Sequence, residues 1–463
     1  MAETTVNFLG GSPLNRLSWL RESHSFLNPI IVSPAARWVL FQAGQPLVAS
    51  RSKREVGLAL LTTAEVRHLL GPQPYFGQGQ NEGDTVSGEV TVLQAARFKG
   101  APVVFLGVDE PKSGTRTAPN DFSLSPEEVA ANLKGTPYFS LDVSDTSQAQ
   151  VDELLQECEL GKSGVSLHFA EPRGATRGMS DYDAAIFAVA RSMVDWNARN
   201  QFCAACGSPH YSLWAGWKLS CSSLLPWADN TGRKPCPTAK GLHNIAHPRT
   251  DAVVIMAVLN EAQDKILLGR NKKFPYKFYS SLAGFIEPGE SFEDAVKREL
   301  WEEAGVHVWN VRYHSTQPWP YPANLMVGFF ATGDPEEPIN LSLDKELEDA
   351  RWFTREEVLA VLEHKEGTNF TRRDFKTMAD SIEGRANVPN KDAKDEGDPL
   401  AGDATVAASQ AKEGVVQPKP TEVPADANEP PFRVPPRTAI AGVLISDWAY
   451  GRSGAQPLLK GKI

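Results

Sequence analysis

The chain has 463 residues, of which 41% are hydrophobic, and its formal net charge at pH 7 is −10. That length is sufficient for about two or three domains with ordinary cores. The acidic balance argues against a nonspecific nucleic-acid binder, whose electrostatic footprint is basic. No apolar run approaches the roughly 18 residues that a membrane span needs, and residues 1–5 resemble no signal peptide, so we expect neither membrane insertion nor secretion.

Residues 1–190 contain apolar runs typical of strands at 37–41, 103–107 and 138–141, and an amphipathic helix is predicted at 181–197. This mixture of short strands and helices predicts an N-terminal α+β domain. The region has no cluster of residue types that would indicate catalysis. We therefore expect the chemistry to lie in the residues that follow.

Four of the five cysteines lie close together in the sequence, and they are Cys203, Cys206, Cys221 and Cys236. Thiolates at this spacing suit a tetrahedral structural zinc ion, and Gly207 allows the tight turn that directs the first two sulfurs at one metal. The spacing predicts a zinc ribbon over residues 198–248. Such a ribbon usually repeats the C-x2-C pair, and an insertion at 222–235 would explain why the second pair is split.

Two alternatives to a four-cysteine site remain open. His210 or His243 could replace one thiolate, because mixed Cys/His zinc sites are also common. The clustered cysteines could also be free and unrelated thiols. Cys158 lies apart from the cluster and is interpreted as a buried or incidental thiol.

The most informative segment is residues 284–306, which have the pattern G-x5-E-x7-R-E-L-x-E-E-x-G-V. By chance such a pattern would arise at roughly 10⁻⁸ per starting position. Ser291 followed by Asp294 predicts a capped helix start, and Gly305 lies where a helix would end in the left-handed conformation. We therefore expect a helix from about residue 292 to residue 304.

Three carboxylates of this helix are three and four residues apart and converge on one face, and they are Glu299, Glu302 and Glu303. A neighbouring apolar stripe should pack against the rest of the domain, and it consists of Phe292, Val296, Leu300 and Ala304. Two like charges about 4 Å apart repel by roughly 4 kcal/mol at a surface-like dielectric. Bound Mg²⁺ or Mn²⁺ therefore explains the acidic cluster better than a solvated charged face does, and such ions can clamp a diphosphate and activate a water molecule.

The pattern at 284–306 resembles the box of the Nudix hydrolase family. The resemblance implies an α/β fold, the Nudix α/β/α sandwich with a mixed sheet, over a catalytic domain at residues 249–383. Four apolar runs agree with strands of that fold, at 251–259, 265–269, 327–331 and 350–353.

Residues 384–431 are rich in Ala, Asp, Lys, Pro, Gly and Glu and almost free of aromatic side chains, so they bury too little apolar surface to fold. We predict a disordered insertion there. The apolar run at 439–445 predicts a packed helix. Residues 432–463 should therefore complete the Nudix domain with a helix and end in a tail.

Residues 315–326 read S-T-Q-P-W-P-Y-P-A-N-L-M. Three prolines fix φ in this predicted loop and hold Trp319 and Tyr321 in place, which suits the binding of flat heteroaromatic rings. An alternative is that the prolines form an exposed peptide ligand. The order of zinc cysteines, Nudix box and Q-P-W-P loop is similar to the NADH pyrophosphatase branch of the family.

That resemblance implies metal-dependent hydrolysis of the diphosphate of NADH or NAD⁺ to nicotinamide mononucleotide and AMP. It also implies NAD-capped RNA as a second substrate and a homodimer as the assembly. The alternative from a different class is a noncatalytic NAD-binding or RNA-binding module that retains the fold. Because every acid of the box is present, the sequence favours the enzyme.

The resemblance assigns roles to individual residues. Catalysis would depend on Glu303, nearest the attacking water, together with Glu299 and Glu302, and all three would bind metal with Glu346. The substrate would contact Phe285, Gln317, Trp319, Tyr321 and Ala441. The structural positions of the box would be Gly284, Glu290, Arg298 and Gly305, with Arg298 paired to Glu290. The tyrosine usual before Pro248 is replaced here by His247.

The last three residues, Gly461, Lys462 and Ile463, have the small, basic and aliphatic order of a peroxisomal tripeptide, with Gly and Ile in place of Ser and Leu. The resemblance adds that relatives of this enzyme class are often peroxisomal. Peroxisome and cytosol are therefore the two alternative locations.

Overall fold

The computed structural model describes residues 6–50, 56–71, 73–78, 95–111, 124–225, 228–239, 247–271, 274, 277–343, 345–370, 374 and 429–452. Three predicted features lie wholly or mostly outside these residues: His243, the insertion at 384–431 and the C-terminal tripeptide at 461–463. Across the described ranges, no helix is both long and apolar enough to cross a membrane.

The N-terminal part of the chain forms a mixed eight-stranded sheet. Its strands are β1 (Leu14–Asn15), β2 (Arg37–Gln42), β3 (Gln45–Ser50), β4 (Val56–Leu58), β5 (Leu60–Thr62), β6 (Val103–Asp109), β7 (Thr136–Asp142) and β8 (Ser166–Phe169). The order along the sheet is β1-β6-β7-β2-β3-β4, with β5 also pairing with β2 and β8 with β3. Strands β2 and β7 are parallel, and the other pairs are antiparallel.

The described helices of this part are α1 (His24–Ile31), α2 (Thr63–Val66), α3 (Pro126–Ala131), α4 (Gln148–Glu157), α5 (Glu159–Lys162), α6 (Pro172–Ala175) and α7 (Asp181–Arg199). The predicted strands at 37–41, 103–107 and 138–141 and the predicted helix at 181–197 are confirmed, each with slightly longer bounds.

Both faces of this sheet are buried, as the alternation of side chains along β2 shows. Trp38 and Leu40 belong to the core on the α1 face, whereas Val39 and Phe41 belong to the core that contains Phe187 of α7. Because successive side chains of a strand point to opposite faces, a strand between two helix layers must be apolar at every position. The result is a three-layered N-terminal domain.

The cysteine segment contains an antiparallel hairpin made of β9 (His210–Leu213) and β10 (Lys218–Cys221). The hairpin is joined to the N-terminal part by a backbone hydrogen bond of 2.8 Å from Arg97 N to Ser212 O. Cys221, at the end of β10, pairs in register with His210. The hairpin thus places cysteine side chains beside the N-terminal domain.

The second sheet contains β11 (Asp251–Leu259), β12 (Lys265–Asn271), β13 (Leu282–Phe285), β14 (Val308–Trp319), β15 (Asn324–Gly333) and β16 (Leu347–Thr354). Its order is β14-β15-β11-β12-β16, with β13 also pairing with β11. Strands β11 and β15 are parallel and the other pairs are antiparallel, so the predicted mixed sheet is confirmed. The described helices around it are α8 (Phe292–Ala304), α9 (Arg355–Glu363) and α10 (Ile440–Ala449).

Helices cover both faces of this sheet. Val254 and Met256 of β11 share a buried cluster with Leu300 of α8, whereas Ile255 shares the opposite cluster with Trp448 of α10. This arrangement is the predicted α/β/α sandwich. The predicted C-terminal helix is confirmed, and every residue of α10 is buried.

The loop predicted at 315–326 is wrong at both ends, because residues 315–319 belong to β14 and residues 324–326 belong to β15. Residues up to Trp319 belong to β14 and pair with β15, with Pro318 opposite Leu325, so only residues 320–323 form a turn. Pro318 is tolerated because β14 is an edge strand, where a missing N–H removes no essential ladder bond. The apolar stripe predicted for α8 also needs one correction. Phe292 is 42% exposed, because the first residue of the helix projects past the core that buries Val296 and Leu300.

Candidate functional site

Helix α8 begins and ends at the residues that the sequence predicts. The Ser291 hydroxyl accepts a hydrogen bond from Asp294 N, and the Asp294 carboxylate accepts one in return from Ser291 N. This reciprocal capping satisfies two N–H groups that the first turn would otherwise leave unpaired. Gly305 ends the helix with φ at +66°, a conformation that glycine adopts without steric cost. The cap and the terminal glycine therefore fix the positions of the acids between them.

The Arg298 guanidinium connects three of the box acids. It contacts both oxygens of Glu290, at 2.5 and 2.9 Å, which is the pairing predicted from the sequence. It also contacts Glu299 Oε1 at 2.8 Å and Glu302 Oε2 at 2.9 Å, and it donates to Phe285 O at 2.8 Å. A bidentate guanidinium contact fixes a carboxylate in orientation as well as in distance. Arg298 thus ties the loop before α8 to the acids on its surface.

The pKa values of two box acids are shifted in opposite directions. The Arg298 contact lowers the pKa of Glu290 from 4.5 to about 2. Burial raises the pKa of Glu299, and the Arg298 guanidinium opposes that shift. Glu290 is therefore ionised at any pH near neutrality, whereas Glu299 carries its charge in a less favourable environment.

The predicted metal-binding acids differ in exposure. Glu303 is 4% exposed, whereas 48% of the Glu302 side chain is exposed. Glu346 accepts a hydrogen bond of 3.0 Å from Asn271 Nδ2, so it lies at the end of β12. Among the described residues, the four cysteines are the one set of three or more potential ligands within 4.8 Å of one another. The acids do not form such a set, although Arg298 Nη1 contacts both Glu299 and Glu302.

A cavity of about 460 Å³ lies between the N-terminal domain and the second sheet. Four of the five residues predicted to contact substrate line it, and they are Gln317, Trp319, Tyr321 and Ala441. Phe285 is not among the lining residues. It is 57% exposed and borders a separate surface depression next to Arg249 and Thr250. The structure therefore brings together four of the predicted residues and places the fifth on another surface.

The N-terminal domain supplies one wall of this cavity, which the sequence did not predict. Phe8, Leu9 and Arg173 line it, and the Arg173 guanidinium carbon lies 4.6 Å from the centre of the Tyr321 ring. The Tyr321 hydroxyl donates to Pro172 O at 3.4 Å, and burial raises the Tyr321 pKa. No local sequence signal could identify these residues, because they meet the cavity only through the packing of two domains.

Gln317 holds three segments together. Its side-chain Nε2 donates to Phe8 O and to Thr438 O, each at 2.8 Å, and its Oε1 accepts from Ile440 N at 2.8 Å. The residue is fully buried. A buried amide with three satisfied hydrogen bonds is a structural connection between the N-terminal segment, β14 and the start of α10.

The four clustered cysteines meet at one point. Their sulfurs lie within 4.8 Å of one another, with 3.8 Å between Cys203 and Cys236 and 3.4 Å between Cys206 and Cys221. A tetrahedral zinc ion with Zn–S bonds of about 2.3 Å separates its sulfurs by about 3.8 Å. Gly207, with φ at +73°, allows the turn after the first pair, as predicted. The cluster can hold a metal ion.

Two neighbouring observations bear on the predicted ligand set. Hydrogen bonding from Ser208 lowers the pKa of Cys206 to about 5, which favours the thiolate that metals bind. His210, one of the alternative ligands, has its Nδ1 at 2.8 Å from Asn200 O. Cys158 is buried in the N-terminal core, away from the cluster. Among the described residues, the four cysteines are the potential ligands that the structure brings together.

His247 replaces the tyrosine expected from the resemblance. Its ring centre lies 5.4 Å from that of Trp214, with a tilt of 41° between the planes, and Lys218 Nζ lies 4.3 Å from the centre of Trp214. Burial, reinforced by the Lys218 charge, lowers the pKa of His247. This residue is therefore part of an aromatic and cationic group beside the cysteine hairpin.

Two family models match the chain. The NUDIX domain matches residues 248–374, and the NADH pyrophosphatase-like rudimentary NUDIX domain matches residues 35–196. The first match contains the box and its acids. The second covers most of the N-terminal domain, including β2 and most of α7. Members of the Nudix family use divalent metals.

Three relatives are similar over most of the chain. The NAD-capped RNA hydrolase of Schizosaccharomyces pombe (strain 972 / ATCC 24843) is 34% identical over 358 residues, which are 77% of this chain and 85% of that protein. The NAD-capped RNA hydrolase NPY1 of Saccharomyces cerevisiae is 32% identical over 79% of this chain and 89% of that protein. The NAD-capped RNA hydrolase NUDT12 of Homo sapiens is 33% identical over 78% of this chain and 69% of that protein.

Proposed function

The chain belongs to the NADH pyrophosphatase branch of the Nudix hydrolase family, and on that premise we propose that it hydrolyses the diphosphate bond of NADH and NAD⁺. The products are nicotinamide mononucleotide, in its reduced or oxidised form, and AMP. The same cleavage removes NAD caps from the 5′ ends of RNA. The observation that carries this proposal is the complete acidic box on a capped helix, with Arg298 orienting three of its acids.

The proposed catalytic cofactor is Mg²⁺ or Mn²⁺, bound by Glu299, Glu302, Glu303 and Glu346. The donor set fits, because these hard cations prefer carboxylate oxygens and because one cation, the Arg298 guanidinium, already lies between Glu299 and Glu302. When bound, such an ion neutralises diphosphate charge and lowers the pKa of a coordinated water.

The protein's own acids would then direct the hydrolysis. Glu303, buried and next to Glu302 in sequence, is proposed to accept a proton from the attacking water. The water oxygen forms a bond to one phosphorus, the bond between that same phosphorus and the bridging oxygen breaks, and the bridging oxygen leaves with the other phosphate. Gly284, Glu290, Arg298 and Gly305 hold the box in shape. The proposed substrate contacts are Phe285, Gln317, Trp319, Tyr321 and Ala441.

We propose one structural zinc ion per chain at Cys203, Cys206, Cys221 and Cys236. The sulfur separations of 3.8 and 3.4 Å support it, since they are close to those of tetrahedral zinc coordination. The proposed organisation is an N-terminal domain at 1–190, a zinc ribbon at 198–248, a Nudix domain at 249–383, an insertion at 384–431 and a C-terminal part at 432–463. A homodimer is the proposed assembly, and it can be measured by light scattering of the purified chain.

The second candidate, a noncatalytic NAD-binding or RNA-binding module, is disfavoured because the box keeps every acid. One assay separates the two candidates. Purified protein with Mg²⁺ or Mn²⁺ is incubated with NADH, NAD⁺, ADP-ribose and NAD-capped RNA, and the products are separated by chromatography. Release of AMP and reduced nicotinamide mononucleotide from NADH is expected. Binding of NADH without product in either metal would contradict the proposed enzyme.

For the location of the protein, we propose import into peroxisomes through the tripeptide at 461–463, with the cytosol as the alternative. The tripeptide at 461–463 has the order of small, basic and aliphatic residues that such a signal has. Imaging of a protein tagged at its N-terminus, with and without residues 461–463, tests it. A diffuse signal from both proteins would rule out this signal.

A further inference from the structure

A second large cleft, of about 790 Å³, lies far along the chain from the acidic box. It is formed by the N-terminal domain, the C-terminal half of α7 and the cysteine hairpin. Its lining residues include Arg97, Phe98, Arg191, Asn197 and Tyr211, and they include none of the acids of α8. The volume lies within the range of about 300–1,000 Å³ that is typical of small-molecule sites.

Arg97 is the most unusual group in this cleft, because its guanidinium is buried without a carboxylate. Its Nε donates to Ala101 O at 3.0 Å and its Nη2 donates to Leu70 O at 2.6 Å. Its Nη1 finds no hydrogen-bond partner among the residues that the structure describes, and the residue is 3% exposed. Two carbonyls thus fix the orientation of the guanidinium of this lining residue, and its buried Nη1 group is left without a partner.

The absence of a side chain at Gly100 leaves room for this guanidinium. An ideal Cβ on Gly100, whose φ is +78°, would lie 3.0 Å from Arg97 Nη2, so a larger residue would crowd the group. Burial lowers the pKa of Arg97 to about 10, which still leaves it cationic near neutrality. A buried cation of this kind is costly unless an anion binds to it.

Among the other polar atoms of lining residues that lack hydrogen-bond partners within the described ranges are Arg191 Nε and Asn197 Oδ1. Arg191 Nη1 contacts Asp195 Oδ1 at 2.9 Å, and Asn197 Nδ2 donates to Met193 O and Gly216 O, so both side chains are held in place. Buried polar groups in native proteins are normally satisfied, and several unsatisfied ones in a single cleft point to a missing ligand.

The described acids that line the cleft have other partners or lie at its rim, and none of them pairs with the Arg97 guanidinium. Asp195 is shared by Arg191 and Arg199, at 2.9 and 2.8 Å. Asp142 accepts hydrogen bonds from the backbone N–H and the hydroxyl of Ser144. Asp145 lies on the exposed rim. Among the described lining residues, Arg97 is therefore the buried charge that has no opposite charge beside it.

One wall of the cleft is aromatic. The ring centres of Phe98 and Tyr211 are 4.9 Å apart, with a tilt of 41° between the planes. Phe98 follows Arg97 directly in the chain, so the aromatic wall and the unpaired guanidinium are adjacent. A flat ring can pack against such a wall while a linked anionic group reaches the cation.

We propose that this cleft is a second binding site, separate from the catalytic site, for a small phosphate ester that carries a planar ring. The phosphate binds Arg97 Nη1 and Arg191 Nε, and a hydroxyl of the ligand donates to Asn197 Oδ1. The ring packs against Phe98 and Tyr211. A mononucleotide has both parts at a size that the cleft accommodates.

The test uses titration calorimetry of the full chain with AMP and, separately, with inorganic phosphate, without added Mg²⁺ or Mn²⁺. Ala198 offers a matched pair of variants, because it lines the cleft and its side chain is exposed. Ala198→Glu adds a negative charge at the mouth, and Ala198→Lys adds a positive charge of similar length. We expect Ala198→Glu to weaken AMP binding by at least about tenfold and Ala198→Lys to preserve or strengthen it.

Hydrogen exchange of the wild-type chain locates the site, with AMP expected to protect residues 95–101 and 191–201. Arg97→Met, checked for folding by circular dichroism, should abolish the same protection. If that variant fails to fold, the comparison of AMP binding by Ala198→Glu and Ala198→Lys still tests the proposal. NADH turnover by Ala198→Glu is expected within about twofold of wild type, which separates this site from the catalytic one.

Three results would overturn the proposal. The first is that neither AMP nor phosphate binds at millimolar concentration. The second is that AMP binds equally well to both Ala198 variants. The third is that AMP binds no more tightly than phosphate, because the aromatic wall would then contribute nothing to a ring.

Discussion

Gly284 and Glu299 are in such close contact that no side chain fits between them: an ideal Cβ on Gly284 would lie 1.8 Å from the Glu299 carboxyl carbon and 2.1 Å from both of its oxygens. Gly284 is in β13, which pairs with β11, and Glu299 is in α8. The glycine of the box is therefore needed for space. It allows the carboxylate to lie directly against the strand.

We predict that Gly284→Ala lowers kcat by about 100-fold, because displacement of a catalytic group by about 1 Å can cost that much. The Cβ would force the Glu299 carboxylate away from its position. The measurement is the steady-state hydrolysis of NADH as a function of Mg²⁺ concentration, with the thermal unfolding midpoint as the control for folding. A folded variant with activity within threefold of wild type would show that the Glu299 position is not critical.

The pairing of Glu290 with Arg298 predicts a pH dependence of stability. The folded-state pKa of Glu290 is about 2, below its ordinary value of 4.5, so the ionised carboxylate stabilises the fold above pH 4.5. That contribution is lost as the pH falls from 4.5 towards 2. Urea unfolding of wild type and Glu290→Gln should therefore show a stability difference that is largest above pH 5 and narrows in acid. A difference independent of pH over this range would contradict the assignment.

What the sequence predicts well here is encoded locally. Ser291, Asp294 and Gly305 define the bounds of α8 through contacts within a few residues, and the apolar runs at 37–41 and 251–259 identify the strands β2 and β11. The pairing of Arg298 with Glu290 spans eight residues and follows from the chemistry of a guanidinium and a carboxylate. Each of these features depends on neighbours in the chain, so propensity and spacing are sufficient.

What the sequence did not predict depends on tertiary contacts. Arg173 and Phe8 reach the apolar cavity only because the N-terminal domain packs against β14, and no residue pattern marks either of them. Gln317 belongs to a proline-rich motif that suggests a loop, yet it is in a strand, because pairing with β15 and three long-range hydrogen bonds outweigh local preference. Phe292 has helical spacing but lies beyond the edge of the core.

Glu303→Gln is predicted to lower kcat by roughly 10²–10⁴-fold while the unfolding midpoint stays within a few degrees. The amide keeps the shape of the side chain but removes the charge that a metal ion or a water proton requires. Glu293→Gln is the matched control, because Glu293 is an exposed acid of the same helix outside the proposed site. It should retain nearly full activity in the same NADH assay. An equal loss of kcat in the two variants would contradict a specific catalytic role for Glu303.

Cys206→Ser is predicted to reduce the zinc content from one ion per chain to nearly none. The unfolding midpoint should fall by at least about 5 °C, because a structural metal contributes several kcal/mol to folding. Cys158→Ser is the control, since that thiol is buried in the N-terminal core away from the cluster. Metal content is measured by mass spectrometry on protein purified without chelators. Wild-type protein without zinc would count decisively against the site.

Deletion of residues 391–427 is predicted to leave kcat within about twofold of wild type. These residues lie outside the described structure, but the chain on either side of them is joined: Arg433 Nη1 donates to Asn369 O at 3.0 Å, and Val434 N donates to Gly367 O at 3.0 Å. Residues 371–390 and 428 remain to connect these two segments, and the entropy of closing a loop depends only weakly on its length. The measurement is NADH hydrolysis by the deletion variant beside a variant in which the same residues are replaced by a Gly/Ser segment of equal length. A tenfold loss of kcat in both variants would show that the deleted residues take part in the reaction, whereas a loss in the deletion alone would assign the effect to length.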